Sequence, residues 1–214
     1  MAAVPVRPDA ASPAPPTSSD AVRGLPVVRA MEADGACARE ASHWPLGRLK
    51  RLQAPETLVH GALAGPGHFG GPPLTFRWTG RGLPGHVDAA AYCRSIQEPA
   101  GAAGLRVPGV SVVHWLGPGL ALGAARGAVH AGVAAMLLDE AAARASFANS
   151  AGAPSFTANL HLEHLRPLRA WTAVVADAWV TCIDGRKTSI ASRLVDAQDG
   201  RTLVRAQSLF VSAP

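Results

Sequence analysis

The residues with the clearest chemical potential lie in one apolar segment, VHAGVAAMLLDE, in which His130 precedes Asp139 by nine positions. Imidazoles and carboxylates are the side chains that most often transfer protons in enzymes. The segment predicts a helix over about 131–149, since Ala, Leu and Met dominate it and a Gly- and Pro-containing turn follows. Nine helical residues rise about 13 Å and turn through about 900°, so the two side chains point to opposite sides. They cannot act as a pair within one chain.

Asp139 is unusual for its position in this predicted helix. Asp is a poor helix former, and this one is too far from either end to act as a cap. The segment is apolar on nearly all sides, which is typical of a buried helix. Glu140 has Arg144 four residues later and is expected to form a surface ion pair, whereas Asp139 has no partner on its own helix. Asp139 therefore either carries a function or meets a Ser, Thr or Arg from another element.

The start of the predicted helix offers a second chemical group. The first backbone amides of a helix have no intrahelical acceptor, so they attract anions and can stabilise a negative charge that develops on a carbonyl oxygen. These amides lie far from Asp139 in the same chain. We therefore expect a site completed by two subunits, in which one supplies the amide and the other supplies Asp139.

The segments around this helix predict the framework that positions these groups. Asp184–Gly185 and Asp199–Gly200 are typical of hairpin turns between alternating strands. Four long strands are expected at Ser155–Leu165, Thr172–Ile183, Arg186–Ala197 and Arg201–Ser212, and shorter ones at Leu74–Trp78, Val110–Trp115 and Leu120–Ala125. The predicted fold class is α+β, with a long antiparallel sheet wrapped around one central helix.

The first half of the chain is less regular. Residues 1–30 are rich in Pro, Ala and Ser and predict a disordered tail, with an organellar transit segment as the alternative. Residues 31–104 predict an irregular region with short helices, because Pro and Gly interrupt each periodic stretch. Residues 105–214 are expected to form the main folded domain.

The composition argues against several classes of function. The chain has 214 residues and a formal net charge of +5, but its basic residues are scattered, so no nucleic-acid partner is expected. Three cysteines without CxxC spacing disfavour a disulfide framework or a zinc site and suit a reducing compartment. Every apolar run is shorter than the roughly 20 residues that span a membrane. His161 and Glu163 share a strand face, but no third ligand is spaced for a metal.

An ordered set of motifs resembles the small acyl-CoA thioesterases of the hotdog fold, in the branch of the phenylacetyl-CoA-type thioesterases and the animal thioesterase superfamily members. The motifs are VHAGVAAMLLDEA, TANLHLEHLRP, DGRKTS and AQSLFV, and the resemblance covers roughly residues 105–212. That branch has a His-Gly-Gly turn at the start of its central helix and an acidic residue nine positions after the His. This chain differs at Ala131, which stands where the first glycine is usual.

The resemblance implies a thioester hydrolase in which Asp139 is the general base or the nucleophile. It implies that the amide of Ala131 polarises the thioester carbonyl, that Thr157 places the attacking water and that His130 orients the thioester region. It also implies a homodimer or a dimer of dimers with active sites across the interface, which agrees with the two-subunit site inferred from the helix geometry.

The resemblance further suggests how the substrate is held. Arg166, Arg186 and Lys187 are candidates to bind the CoA phosphates, since exposed basic side chains suit phosphate oxygens. CoA would be part of the substrate, with no metal and no separate cofactor, in the cytoplasm or mitochondria. Two alternatives stay open: a thioesterase-like tailoring enzyme for a polyketide or carrier-bound acyl intermediate, and a non-catalytic acyl-CoA-binding module, which Ala131 favours.

Overall fold

The computed structural model describes residues 22–33, 37–39, 67–69, 73–78, 109–122, 127–149 and 154–213. Within these ranges the helices are α1 (Pro26–Ala33) and α2 (Ala131–Asn149), with a 3-10 turn at Pro118–Leu120. The strands are β1 (Cys37–Arg39), β2 (Leu74–Trp78), β3 (Gly109–Leu116), β4 (Ser155–His164), β5 (Thr172–Asp184), β6 (Lys187–Asp196) and β7 (Thr202–Ser212).

The described strands form one antiparallel sheet in the order β1-β2-β3-β5-β6-β7-β4. Tight turns join β5 to β6 and β6 to β7, and their glycines Gly185 and Gly200 have φ values of 54° and 72°. Glycine adopts this left-handed region without steric cost, so the two predicted hairpin turns are confirmed. In this order β4 pairs with β7 and lies at the edge of the described sheet.

Helix α2 packs on the inner face of the sheet through one side that is fully buried. That side consists of Ala134, Leu137, Leu138, Ala141, Ala142 and Ala145. The sheet presents Val174, Ala176 and Ala178 to the same core, and such small side chains let a long helix lie close to a curved sheet. The predicted α+β hotdog arrangement, an antiparallel sheet wrapped around one central helix, is confirmed.

The opposite flank of α2 differs from the expectation of a helix buried all round. Val133, Ala135, Met136 and Asp139 are only partly buried, and Ala131 is exposed. The periodicity cannot distinguish an apolar side chain that packs within its own chain from one that lies open along the flank of a helix. This half-open flank lies on the same helix as Asp139 and bears directly on the site described below.

The predicted ion pair between Glu140 and Arg144 forms, but the prediction that it lies on the surface is wrong. The two side chains do pair, but Arg144 is only 6% exposed and also donates a hydrogen bond to Thr75 of β2, 69 residues earlier. The pair therefore ties α2 to a distant strand of the sheet. A spacing of four residues predicts the pair but carries no information about what covers it.

The outer face of the sheet carries a second core, into which α1 packs. Val27, Val28 and Met31 of α1 share a cluster with Phe76 and Val175. The structure thus differs from the predicted tail from Val22 onward, because apolar side chains spaced along α1 find a sheet face to cover. Residues 1–21 and most of 31–104 lie outside the described residues, so the proposed domain limits stay a prediction.

A buried polar network also lies on the outer face. Ser111 donates a 2.6 Å hydrogen bond to Asp177, and Arg193 forms an ion pair of 3.2 Å with the same carboxylate. The Arg193 guanidinium lies 5.6 Å from the ring centroid of Trp179. The register pairs Ser111 with Asp177 and Asp177 with Arg193, so the network crosses β3, β5 and β6.

The strand predicted at Leu120–Ala125 is absent from the part of it that the structure describes, residues 120–122. The segment 120–125 contributes the end of the 3-10 turn and a single bridge from Ala121 to Val129, and residues 123–126 lie outside the described residues. Pro118 and Gly119 favour a tight turn here, which shortens any strand that could follow. Among the described helices, none is long and apolar enough to cross a membrane.

Candidate active site

The backbone that leads into α2 is held between two neighbouring segments. Val129 donates a hydrogen bond to the Leu168 carbonyl at 2.9 Å, and Ala170 donates to the Gly127 carbonyl at 2.7 Å. Gly127 has a φ of 57°, and a side chain there would meet the Trp171 ring at 3.2 Å. These contacts fix where the helix begins and therefore where its first amides point.

The first turn of α2 is capped by His130. Its Nδ1 atom accepts a hydrogen bond from the Gly132 amide at 2.9 Å, and its carbonyl accepts one from Val133 at 2.9 Å. Residues 130–132 are all exposed. The Ala131 amide lies between these two bonds at the first helical position, where no intrahelical acceptor precedes it. The residue that carries the predicted carbonyl-polarising amide is thus exposed.

Asp139 has a hydrogen-bond partner from another element, which is one of the two alternatives that the sequence left open. Thr157 on β4 donates a hydrogen bond of 2.8 Å to the Asp139 carboxylate. Asp139 is half-buried and Thr157 is exposed, so the carboxylate is neither isolated nor fully desolvated. Two residues that the family resemblance singles out for water activation therefore lie in hydrogen-bond contact within one chain.

A bulge in β4 makes this contact geometrically feasible. Thr157 pairs with Phe210 and Asn159 with Leu209, which leaves Ala158 as an extra residue on β4. Without the bulge, alternation would place Thr157 and Leu160 on opposite faces because they are three residues apart. With it, both face α2. Bulges often redirect a side chain in this way next to a functional site.

The two halves of the predicted site remain apart in one chain. Ala131 and Asp139 are eight helical positions apart, which corresponds to about 12 Å along the axis. A thioester carbonyl and the water that attacks it must be in van der Waals contact. A single subunit therefore presents the amide and the carboxylate at two places rather than one.

An open groove of about 360 Å³ lies beside the first turn of α2. Its walls come from the segment before α2, from the first turn of α2 and from the connection after β4; they are Ala128, Val129, Ala131, Ala134, His164, Leu165, Arg166, Pro167 and Leu168. The groove is apolar except for the side chains of His164 and Arg166. Sequence reasoning missed His164 here, because its nearness to Ala131 depends on how β4 crosses the helix.

The three predicted phosphate-binding residues do not lie together in one chain. Arg166 donates to the Thr202 carbonyl at the start of β7, whereas Arg186 donates to the Ser212 carbonyl at its end. Ten residues of extended strand separate these carbonyls by about 33 Å. Lys187, at the start of β6, is exposed beside the Arg186 end. One subunit therefore cannot use all three on a single CoA molecule.

The described residues contain no group of three or more His, Cys, Asp or Glu that could hold a metal ion. Glu163 is one of the two strand residues considered as metal ligands. It lies 3.8 Å from Arg205 in an ion pair, with side chains that are 58% and 32% exposed. The predicted lack of a metal in the reaction stays a prediction.

The fold and these motifs define a hotdog protein with an acidic residue on its central helix. Residues 126–203 match the family model of the thioesterase superfamily, so the resemblance is confirmed for this segment. This match supports thioester hydrolysis in general as the class of chemistry. No curated protein matches the chain.

Solved structures of thioesterase superfamily proteins are similar to parts of the chain. One such protein is 29% identical, with a TM-score of 0.43, over 48% of this chain and 51% of its own, so the chain spans about half of that relative. The phenylacetic acid degradation protein PaaI from Thermus thermophilus is 20% identical (TM-score 0.44), over 49% of this chain and 85% of its own. The E. coli PaaI protein is 17% identical (TM-score 0.45), over 50% and 73%.

Proposed function

We propose that the protein hydrolyses acyl-CoA thioesters in active sites shared between two subunits of a homodimer. The observation that carries this proposal is the hydrogen bond from Thr157 to Asp139 at the exposed edge of the sheet. A carboxylate held by a hydroxyl group beside open solvent is suited to take a proton from water. The match to the thioesterase superfamily supports the same class of reaction.

In this proposal the two subunits associate through β4. β4 lies at the edge of the described sheet, and its Phe156 is 67% exposed, which marks an unpaired apolar edge. A strand at a sheet edge offers backbone groups that a second copy can pair. An antiparallel pairing of β4 with its copy has two-fold symmetry and closes a dimer.

In such a dimer, the orientation of α2 would bring the two separated parts of the active site together. Asp139 lies beside the start of β4, through Thr157, and Ala131 lies beside the connection that follows β4, across the groove. A two-fold axis at the middle of β4 brings the start of one strand to the end of the other. Asp139 of one subunit would then face the Ala131 amide of its partner.

The same symmetry would unite the separated basic residues. Arg166 lies at the end of β4, and Arg186 and Lys187 lie near its start. In the proposed dimer, Arg166 of one subunit approaches Arg186 and Lys187 of the other. Three cations at one shared site suit the phosphates of CoA better than any one of them alone.

The proposed reaction is a direct transfer of the acyl group to water. Asp139 accepts a proton as the water oxygen bonds to the thioester carbonyl carbon, while the Ala131 amide hydrogen-bonds to the carbonyl oxygen as it becomes negative. The carbon–sulfur bond then breaks, and the proton passes to the CoA thiolate. The products are a carboxylic acid and CoA, with no metal or separate cofactor.

The compartment is proposed to be the cytoplasm or the mitochondria. The three cysteines have no CxxC spacing, and proteins in reducing compartments rarely carry disulfides. Within the described residues, Cys182 is a free cysteine, which agrees with this assignment.

A second candidate function is a module that binds acyl-CoA without turnover. The observation in its favour is that Ala131 lines the groove, so its methyl group occupies space next to the amide that a thioester must approach. Tight binding of acetyl-, decanoyl- or phenylacetyl-CoA without thiol release would support this module and contradict the hydrolase.

The variant Thr157→Val tests the proposed function most selectively. Val keeps the branched shape of Thr but removes the hydroxyl group, so Asp139 loses its 2.8 Å hydrogen bond. We expect kcat for thiol release to fall about tenfold or more with the oligomeric mass unchanged. Thr181→Val is the matched control, since Thr181 bonds only to the Ser189 carbonyl among described contacts. Equal rates in both variants would contradict the role of Thr157.

A further inference from the structure

The cap on α2 constrains the chemistry of His130. Its Nδ1 atom accepts the Gly132 amide proton at 2.9 Å, so that nitrogen carries a lone pair. In a neutral imidazole with a bare Nδ1, the proton lies on Nε2. The ring is therefore held in one tautomer and one orientation over the first turn, and it contacts the helix backbone rather than acting as a base through Nδ1.

Gly132 provides the space that this ring needs. A Cβ atom at position 132 would lie 2.9 Å from His130 Nδ1 and 3.3 Å from its Cε1 atom, and the first distance is too short for a real contact. The described glycines with positive φ are Gly127, Gly185 and Gly200, so Gly132 is not required by its backbone conformation. Glycine is also a weaker helix former than alanine. We therefore explain the glycine at position 132 by the space that the His130 imidazole needs.

Two of the three first-turn amides are engaged by His130. The ring binds the Gly132 amide, and the carbonyl binds the Val133 amide. Both bonds span Ala131, and they restrain the peptide groups on either side of it. The Ala131 amide is the first-turn donor that neither bond uses.

We propose that His130 and Gly132 form a positioning pair that fixes the Ala131 amide for the thioester carbonyl, and that Gly132 is required because any side chain displaces the ring. This inference rests on the proposed function and extends the site to Gly132. His130 is a positioning residue: it acts through the helix backbone, and it sets the direction of a donor whose strength depends on alignment.

The test compares Gly132→Ala with His130→Ala, the double variant and His130→Asn, using thiol release from decanoyl-CoA. Gly132→Ala should lower kcat about tenfold or more, since a displaced oxyanion donor costs at least that, with little change in KM. Its melting temperature should stay near that of the wild type, because alanine strengthens the helix. Gly67→Ala is the matched control, since open space surrounds its Cβ position.

The double variant should be no slower than His130→Ala alone, because both changes remove the same contact. His130→Asn should retain more activity than His130→Ala, since an Asn side chain can cap the same amide. The inference would be overturned if Gly132→Ala keeps the wild-type kcat or if the losses in the double variant are additive. It would also be overturned if kcat falls only in proportion to the amount of folded protein that is lost. If the wild type releases no thiol from any acyl-CoA, the proposed function fails and the inference fails with it. If the wild type is active and depends on Asp139, those outcomes overturn the inference alone.

Discussion

Replacing Asp139 with Asn is expected to lower kcat for acyl-CoA hydrolysis by about a thousandfold, within the usual range for loss of a general base or nucleophile. The amide side chain has nearly the same shape and can still accept the hydrogen bond from Thr157, which is 2.8 Å long in the native chain. It cannot take a proton from water. The fold should be intact, because Asp139 is only partly buried and lies on the open flank of α2.

The control for this change is Asp199→Asn. Asp199 lies in the hairpin between β6 and β7, where its side chain is 47% exposed and pairs with Arg201. Its loss should leave kcat within about twofold of the wild type, since exposed ion pairs contribute little. Thiol release measured with Ellman-type detection separates the two variants. A residual activity in Asp139→Asn close to that of Asp199→Asn would remove Asp139 from the mechanism.

The largest expected effect on stability comes from Arg193→Leu. Arg193 is 3% exposed and pairs with Asp177, which is fully buried and also accepts from Ser111. Removing the guanidinium takes one cation away from a buried carboxylate, and the loss of one partner of a buried ion pair typically costs about 3–5 kcal/mol. The network spans β3, β5 and β6, so its loss weakens the centre of the sheet rather than an edge.

Urea denaturation measures this loss as a change in the free energy of unfolding. The matched control is Arg201→Leu, which breaks an ion pair whose side chains are 68% and 47% exposed and should cost less than about 1 kcal/mol. Combining Arg193→Leu with Asp177→Leu should restore part of the stability, since both members of the buried ion pair are then replaced by apolar side chains. If Arg193→Leu and Arg201→Leu lower the free energy of unfolding equally, the buried ion pair contributes no more to stability than the exposed one.

Much of the framework is predictable because local signals determine it. Helix α2 has the predicted bounds, since an Ala- and Leu-rich stretch ends where Ser, Gly and Pro follow. The strands β5, β6 and β7 lie within about one residue of their predicted ends, because Asp-Gly turns delimit them. These features depend on residues that are close together in sequence, where propensity and turn chemistry are strong.

The contacts between the site residues depend on tertiary geometry, which the residue pattern does not predict. Thr157 reaches Asp139 only because Ala158 forms a bulge in β4. Arg166 and Arg186 contact opposite ends of β7. The register of β4 against β7 decides where Thr157 lies, and register is set by long-range packing.

Burial is the property that the sequence predicts least well, because it depends on which distant element covers a helix or sheet face. The pairing of Glu140 with Arg144 follows from their spacing, but its burial follows from the approach of Thr75. Likewise α1 gains its helix from the apolar outer face that it covers. A composition rich in Pro and Ala does not indicate that such a face is available.

The central claim is that each active site takes the Ala131 amide from one subunit and Asp139 from the other, and a mixed dimer tests it most directly. Ala131→Pro replaces the amide proton with a ring carbon, at the first helical position, where proline is well tolerated. Each single variant should be almost inactive. A dimer purified with one Ala131→Pro subunit and one Asp139→Asn subunit contains one site with both defects and one with neither, so it should recover about half of the wild-type activity. A mixed dimer that is as inactive as its two parents would contradict the shared site.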